Sequence, residues 1–239
     1  MYKFGTKNAN LVFKRINFFK IKGGKSMLKK STNGFTLIEM AVVFAIIAIA
    51  ASLATVSMIR MMPRIKIRGD AWDVHQALLS AKMQAVGENT NIGVIFFHRG
   101  YKNDPRCLNA DCYVIFKDAD GDNKYTDTDG NFLKFTPGED PLIGTVRRIN
   151  TNNTFWRVFG IYLSNPGDYV WLIFNSLGNV EWFGSSTNPN NPMPFSGGTI
   201  EIFTRNPIKG ASNLYYMSGV MVQPVGGNLS IIPPKLEHR

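Results

Sequence analysis

The sequence has few of the residues that carry most enzymatic and zinc chemistry. Two of its 239 residues are cysteine, and the three histidines, His75, His98 and His238, are scattered along the chain. A structural zinc site needs four ligands at short spacings, so zinc is not favoured at any of them. G-x-S-x-G, H-E-x-x-H and phosphate-binding glycine motifs are also missing. The sequence therefore predicts a protein that is not an enzyme.

Acidic residues are missing from the first 34 positions, which carry nine Lys or Arg. Since 27 residues of the chain are basic and 17 acidic, residues 35–239 are left with 18 basic and 17 acidic residues. The formal charge of +10 thus belongs to the N-terminal segment. Nucleic-acid binding needs a basic face, so nucleic acid is not a predicted partner of the remaining chain.

Charge is also missing between Glu39 and Arg60, where twenty residues form an apolar run. A helix of that length spans ~30 Å, which is the thickness of a bilayer core. With a basic segment before it, the run predicts a membrane helix that starts on the cytoplasmic side. A signal peptide cut at Ala50-Ala51-Ser52 is the alternative, although these small residues lie inside the run and not at its end.

The residues before the run read Gly34-Phe35-Thr36-Leu37-Ile38-Glu39. This junction, which follows the basic residues Lys29 and Lys30, resembles the class III signal of type IV pilins and type II secretion pseudopilins, in which a short basic leader precedes such a motif. The resemblance implies that a prepilin peptidase cuts between Gly34 and Phe35 and methylates the new amino group of Phe35. It also implies the α+β pilin fold, a long N-terminal helix (a transmembrane half plus an amphipathic half) packed on a mostly antiparallel β-sheet domain.

Glu39 is the single charged side chain between Gly34 and Arg60, in a segment predicted to lie in hydrocarbon, where an ionised carboxylate costs a few kcal/mol. The resemblance supplies a partner, the α-amino group of Phe35 on a neighbouring subunit, and so a role in assembly. The alternative is that Glu39 lies among lipid headgroups at the cytoplasmic end.

A leader of residues 1–34 is longer than leaders of this kind commonly are. Translation from Met27 would leave the compact leader MLKKSTNG, and Gly23-Gly24 fits a translated ribosome-binding site. We expect residues 1–26 to reflect a mis-assigned start, with a long leader as the alternative.

Beyond a transmembrane segment at 35–62, residues 63–239 are predicted to form an extracytoplasmic domain. Pro63 predicts a bend, and apolar residues at steps of three or four predict an amphipathic helix over 64–87. Short runs of β-branched and aromatic residues then predict strands, at Ile92–His98, Cys112–Lys117, Phe132–Phe135, Phe155–Tyr162, Tyr169–Phe174, Val180–Phe183, Thr199–Thr204 and Leu214–Val222.

Parts of this domain resemble the GspH/FimT group of pseudopilins and minor pilins. The resemblance rests on the strand and acidic turn at 114–122 and on the segment at 172–180. That group often carries a basic glycine-arginine tail, whereas here Ser218-Gly219 is followed by Val220. The polar Pro/Asn stretch at 184–198 has no counterpart in the resemblance.

Five aspartates crowd the segment 118–129, namely Asp118, Asp120, Asp122, Asp127 and Asp129. Alternating carboxylates suit Ca²⁺, which takes six to eight oxygen ligands. Three of them fall at positions one, three and five of an EF-hand loop, but Asn123 replaces the glycine at position six. We expect no required cofactor, with Ca²⁺ as the candidate metal and a solvated turn as the alternative.

Cys107 and Cys112 are expected to form a disulfide, because an extracytoplasmic compartment is oxidising. Two free thiols are the alternative. Zinc would need two further ligands, and His98 alone is a poor candidate.

Two functions of different classes remain. The first is a structural subunit, a minor pilin or pseudopilin, whose partners are other pilin subunits, the prepilin peptidase, the inner-membrane assembly platform and membrane lipid. The second is a binding protein at the filament tip, for DNA uptake or adhesion, anchored by the same helix. The sequence does not separate a secretion pseudopilus from a pilus.

Overall fold

The computed structural model describes residues 35–99, 107, 110–125, 140–208 and 213–238. Its first element is helix α1, which runs from Leu37 to Glu88 and passes through Pro63. The predicted membrane helix and the predicted amphipathic helix are therefore one continuous element. Proline lacks a backbone N–H, so one hydrogen bond of the helical ladder is missing at Pro63.

Helix α1 is followed by a residue in the left-handed conformation, Asn89, whose φ is 52°. The N–H of Thr90 donates to the carbonyl of Ala85 at 3.1 Å. This is the hydrogen bond of a Schellman motif, in which asparagine can replace the usual glycine. The helix thus ends at Glu88, one residue after the end of the helix predicted over 64–87.

Eleven strands follow α1 in the described part of the chain. Their bounds are β1 Ile92–Phe97, β2 Cys112–Lys117, β3 Leu142–Arg148, β4 Asn153–Val158, β5 Ile161–Tyr162, β6 Tyr169–Phe174, β7 Val180–Ser185, β8 Met193–Pro194, β9 Gly198–Thr204, β10 Leu214–Val222 and β11 Leu229–His238. A short 3₁₀ turn, Val225–Gly227, precedes β11.

The strands form two antiparallel sheets. Sheet A has the order β3-β2-β1-β6-β7-β8, and sheet B has the order β11-β10-β9-β4-β5. β1 lies at the centre of sheet A with β2 on one side and β6 on the other, and all six of its residues are buried. The α+β pilin-like architecture is therefore confirmed.

The main core contains one face of α1 together with residues of both sheets. The helical positions that the sequence predicts to face inward are all buried, namely Ile67, Ala71, Val74, Leu78, Ala81 and Ala85. Three of these are alanines, whose small side chains let the helix approach the strands closely.

A second apolar cluster lies on the other face of sheet A. It joins the buried rings of Phe97, Phe116 and Trp171 to the pair Cys107 and Cys112. Glycine is required at two points below these rings. A Cβ at Gly93 would lie 2.2 Å from the ring of Phe116, and one at Gly184 would lie 2.1 Å from the ring of Trp171.

Several predicted strand bounds need correction. The predicted strand Phe155–Tyr162 is a hairpin of β4 and β5, because Phe159 and Gly160 both have positive φ and form a tight turn. Phe159 is unusual in this conformation, and its ring packs on Phe195 with the centroids 4.9 Å apart. Three strands were not predicted, β3, β8 and β11. The predicted strand Phe132–Phe135 lies outside the described residues.

The two sheets are joined through one buried carboxylate, that of Asp111, which has no solvent exposure. On the sheet A side it accepts hydrogen bonds from the backbone N–H of Arg99 at 3.1 Å and faces Nδ1 of His98 at 3.2 Å. On the sheet B side it accepts from Thr154 Oγ1 at 2.8 Å and from the N–H of Phe155 at 2.6 Å. The guanidinium of Arg205 adds a charged donor at 3.1 Å.

The protonation of Asp111 follows from this environment. Burial alone would raise the pKa of the carboxyl, but the hydrogen bond and charge of His98, with the hydroxyl of Thr154 and the N–H of Arg99, outweigh burial and lower the pKa below its ordinary 3.8. A lowered pKa in the folded state means that the ionised group stabilises the fold above about pH 4. That stabilisation is lost as the pH falls through the lowered pKa of Asp111.

We therefore expect Asp111→Asn to destabilise the protein by about 3 kcal/mol at pH 7, because buried cationic and N–H donors lose an ionised acceptor. Thermal unfolding followed by circular dichroism measures the loss. Below pH 4 the melting temperatures of Asp111→Asn and the wild type should lie closer together than at pH 7. Asp73→Asn is the matched control, because Asp73 is an exposed carboxylate of α1. Equal stability of the two variants would contradict the role of Asp111.

Candidate functional site

The N-terminal junction is organised by a capping box. The chain is not yet helical at Phe35 and Thr36, and α1 begins at Leu37. Thr36 Oγ1 accepts a hydrogen bond from the N–H of Glu39 at 3.3 Å, and the carboxylate of Glu39 accepts from the N–H of Thr36 at 2.8 Å. These reciprocal bonds satisfy two backbone donors that a helix start leaves unpaired.

The carboxylate of Glu39 is only partly occupied by this cap. The N–H and the hydroxyl of Thr36 both donate to the same oxygen, Oε2, each at 2.8 Å. Among the hydrogen bonds of the described residues, none ends on Oε1. Phe35, the residue before Thr36, is 80% exposed. Gly34, the other residue of the predicted cleavage site, lies outside the described residues.

The first part of α1 is long and apolar enough to cross a membrane, over Leu37–Ile59. Large side chains in this segment are exposed to the surroundings, among them Phe44, Ile47 and Leu53. The hydroxyl of Thr55 donates to the carbonyl of Ala51 at 2.8 Å. A polar group that is paired within its own helix adds little cost in a bilayer.

A second apolar face follows the later part of α1, opposite the buried face. It is formed by exposed side chains that we call the outer stripe, Met62, Ile65, Trp72, Met83 and Val86. With Gly69, Gln76 and Leu79 these positions recur at alternating steps of three and four residues. That spacing is typical of a seam that packs against another helix.

The acidic loop brings together only part of the predicted metal set. Carboxylate oxygens of Asp118, Asp120 and Asp140 lie within 4.8 Å of one another. Asp122 is turned to its neighbour, because its side chain accepts from the N–H of Lys124 at 2.8 Å and pairs with Lys124 Nζ. Asp127 and Asp129 lie outside the described residues.

Asp118 and Asp140 are the two buried members of this group, and Asp120 is exposed. Asp118 is held by three donors. Its oxygens accept hydrogen bonds from the N–H groups of Gly121 and Asn123 and from the side chain of Asn91. Burial is the larger influence and raises the pKa of this carboxyl, although these donors lower it. A divalent cation beside it would favour the ionised form. Asp140 accepts from the N–H of Ala119 and so fixes the far end of the loop.

The two cysteines are paired in a disulfide, Cys107–Cys112, with the Cα atoms 5.7 Å apart. Both are buried in the second apolar cluster. His98 was considered above as a zinc ligand beside these cysteines. Its side chain instead contacts Asp111 and Thr154.

Two of these carboxylates were missed by sequence reasoning. Asp140 lies beyond the acidic segment, and only the return of the chain into β3 brings it to Asp118. Asp111 stands beside Cys112 and looks like one more loop aspartate. No local spacing marks either of them, because their partners come from distant strands.

Comparison with known protein families matches the N-terminal junction. The family model of the prokaryotic N-terminal methylation motif covers residues 29–55. No curated protein and no solved structure matches the chain. The matched segment contains Gly34, Phe35 and Glu39 and runs into the apolar part of α1, so this chain carries the prepilin signature of the type IV pilins.

Proposed function

We propose that the chain is a minor pilin or pseudopilin, a structural subunit of a type II secretion pseudopilus or a type IV pilus. The methylation motif implies processing by a peptidase and assembly with other pilin subunits. In the proposal the cut falls between Gly34 and Phe35, and Phe35 is methylated. One apolar helix with this motif fits a single-pass membrane-anchored protein. We place residues 63–239 on the extracytoplasmic side, where an inner-membrane platform adds the subunit to the filament.

The observation that carries the proposal is the arrangement of Glu39 at the start of α1. It is the one charge among residues 35–59, and an ionised carboxylate at that depth needs a partner. The cap with Thr36 occupies Oε2 and leaves Oε1 for a further donor. An amino group on Phe35 of a neighbouring subunit could donate there without opening the cap. Glu39 would thus stabilise its own helix and bind the next subunit at once.

The outer stripe supports assembly through the same helix. Its side chains are exposed along α1 beyond the apolar segment, and their heptad-like spacing suits a helical partner. Fully burying a side chain such as Ile65 or Met83 contributes about 1.5–3 kcal/mol. In the proposal the helices of other subunits cover this stripe in the filament.

We also propose that Asp118, Asp120 and Asp140 bind Ca²⁺ in the folded domain. Three close carboxylates, two of them buried, repel one another until a cation binds. The hard oxygen donors suit Ca²⁺ better than a transition metal. The metal would tie the acidic loop to the start of β3, and it is not required for the filament role.

The first prediction concerns processing. Intact-mass and N-terminal peptide analysis of the protein from cells with an active prepilin peptidase should find a chain that starts at methylated Phe35. Without the peptidase the leader should remain attached. An N-terminus at Ser52 or later would contradict the proposal, since it would remove the helix start that it depends on.

The second prediction separates the charge of Glu39 from its capping role. Glutamine can replace glutamate in a capping box, so Glu39→Gln should keep the helix start and lose the pairing with an amino group. Cleavage should be normal, while incorporation into sheared filaments should fall at least tenfold in competition with wild type. Thr36→Ala is the control, because it removes the cap, at a cost of about 1 kcal/mol, and keeps the charge. Incorporation of Glu39→Gln at the wild-type level would exclude the pairing.

The third prediction tests the metal. A Ca²⁺ concentration one hundred times the dissociation constant should stabilise the protein by ~2.7 kcal/mol, because only the folded state binds it. Mg²⁺ should stabilise less, since it demands tighter octahedral geometry. Asp140→Asn should abolish the gain, whereas Asp122→Asn, its matched control, should keep it. If millimolar Ca²⁺ does not change the melting temperature of the wild type, the loop is a solvated turn.

A further inference from the structure

A cationic segment follows directly after the apolar part of α1. Four of the nine residues at 60–68 are basic, namely Arg60, Arg64, Lys66 and Arg68. No acidic residue occurs between Glu39 and Asp70, and no basic residue occurs between Phe35 and Arg60. In a chain that starts at Phe35, the basic side chains next to the span therefore all lie at its C-terminal end.

Arg64, Lys66 and Arg68 are the basic residues of this segment whose side chains the structure describes. Arg64 and Arg68 are exposed, and Lys66 is half-buried. Among the ion pairs of the described residues, none includes these three. Arginine recurs every fourth residue here, and like charges at that spacing destabilise a helix. An external anion would remove this repulsion.

Tyr216 helps to set the position of one of these charges. The guanidinium carbon of Arg64 lies 5.1 Å from the centroid of the Tyr216 ring, in a cation–π contact. Tyr216 belongs to the start of β10, which pairs with the end of β11. A tyrosine beside arginine is typical of the headgroup level of a membrane, where an amphipathic ring and a cation are both favoured.

The distance of Arg64 and Arg68 from the apolar segment also fits the headgroup level of a membrane. Arg64 and Arg68 follow Ile59 by five and nine residues, which is about 7 and 13 Å along a helix. The headgroup layer extends roughly 5–8 Å beyond each side of the hydrocarbon, and long arginine side chains can reach back toward it. Exposed Met61, Met62 and Ile65 alternate with the charges, as expected for a mixed apolar and polar boundary.

We propose that Arg64, Lys66 and Arg68 bind the phosphate groups of anionic phospholipids in the leaflet at the C-terminal end of the span. Arginine suits this ligand because its planar guanidinium can hold two phosphate oxygens at once. The proposal rests on the proposed function for the side of the membrane. The binding itself requires only the helix and its charges.

The test is native mass spectrometry of the full chain, purified in detergent from cells that contain the peptidase. The protein is mixed with equal amounts of phosphatidylglycerol and phosphatidylcholine. We expect the wild type to retain phosphatidylglycerol preferentially. Arg64→Gln/Arg68→Gln should weaken this binding about fivefold for each charge removed, which corresponds to about 1 kcal/mol per charge.

Two matched variants separate charge from other effects. Arg64→Lys/Arg68→Lys should recover most of the binding, because the charges remain. Lys117→Gln/Lys124→Gln should bind like the wild type, because these two lysines lie in β2 and in the acidic loop and already pair with Glu88 and Asp122. An unchanged melting temperature shows that each variant is folded.

Three results would overturn the proposal. The wild type could bind both lipids equally, or Arg64→Gln/Arg68→Gln could keep the preference for phosphatidylglycerol. Arg64→Gln/Arg68→Gln could also keep its lipid binding and lose only self-association. That result would indicate that these charges bind an acidic surface of another subunit. The same spectra give the intact mass. A retained leader would contradict the proposed processing, while the comparison between variants would stand because all of them share that leader.

Discussion

An ionised carboxylate in an apolar interior needs hydrogen-bond donors on every side, and Asp111 collects its donors from distant parts of the chain. Two come from the residues directly after β1, two from β4 and one from the residue after β9. Each donor that failed to reach it would leave a buried polar group unpaired, at a cost of about 1–3 kcal/mol. The contact therefore links sheet A to sheet B, in addition to the apolar core that they share, and it lies next in the chain to Cys112 of the disulfide.

The helix meets this core with one face and leaves another apolar face exposed. Alanines at 71, 77, 81 and 85 bring the inner face close to the strands, while Asp70 accepts from the backbone of Asn150 and the side chain of Asn153. The helix is thus fixed both by packing and by a buried carboxylate.

Sequence reasoning succeeded where the signal is local. The buried helical face at 67–85 follows from spacing alone, and β2, β6 and β10 have the predicted bounds because their apolar residues are contiguous. β11 was missed because Pro233 and Pro234 argue against a strand, yet it lies at the edge of sheet B, where proline is tolerated. Gly144 similarly concealed β3. The roles of Asp111 and Asp140 depend on pairing between distant strands, which no local pattern encodes.

The order of the strands also fixes the order in which the fold can close. β1 can pair with β2 early, but its other edge must wait for β6, and β4 must wait for β9. A chain that emerges from its N-terminus thus exposes the apolar edge of β1 until residue 174 has appeared, and sheet B forms only after residue 204. Non-local pairing of this kind slows folding. Until β6 and β9 have paired, the open edges of β1 and β4 are therefore exposed to aggregation.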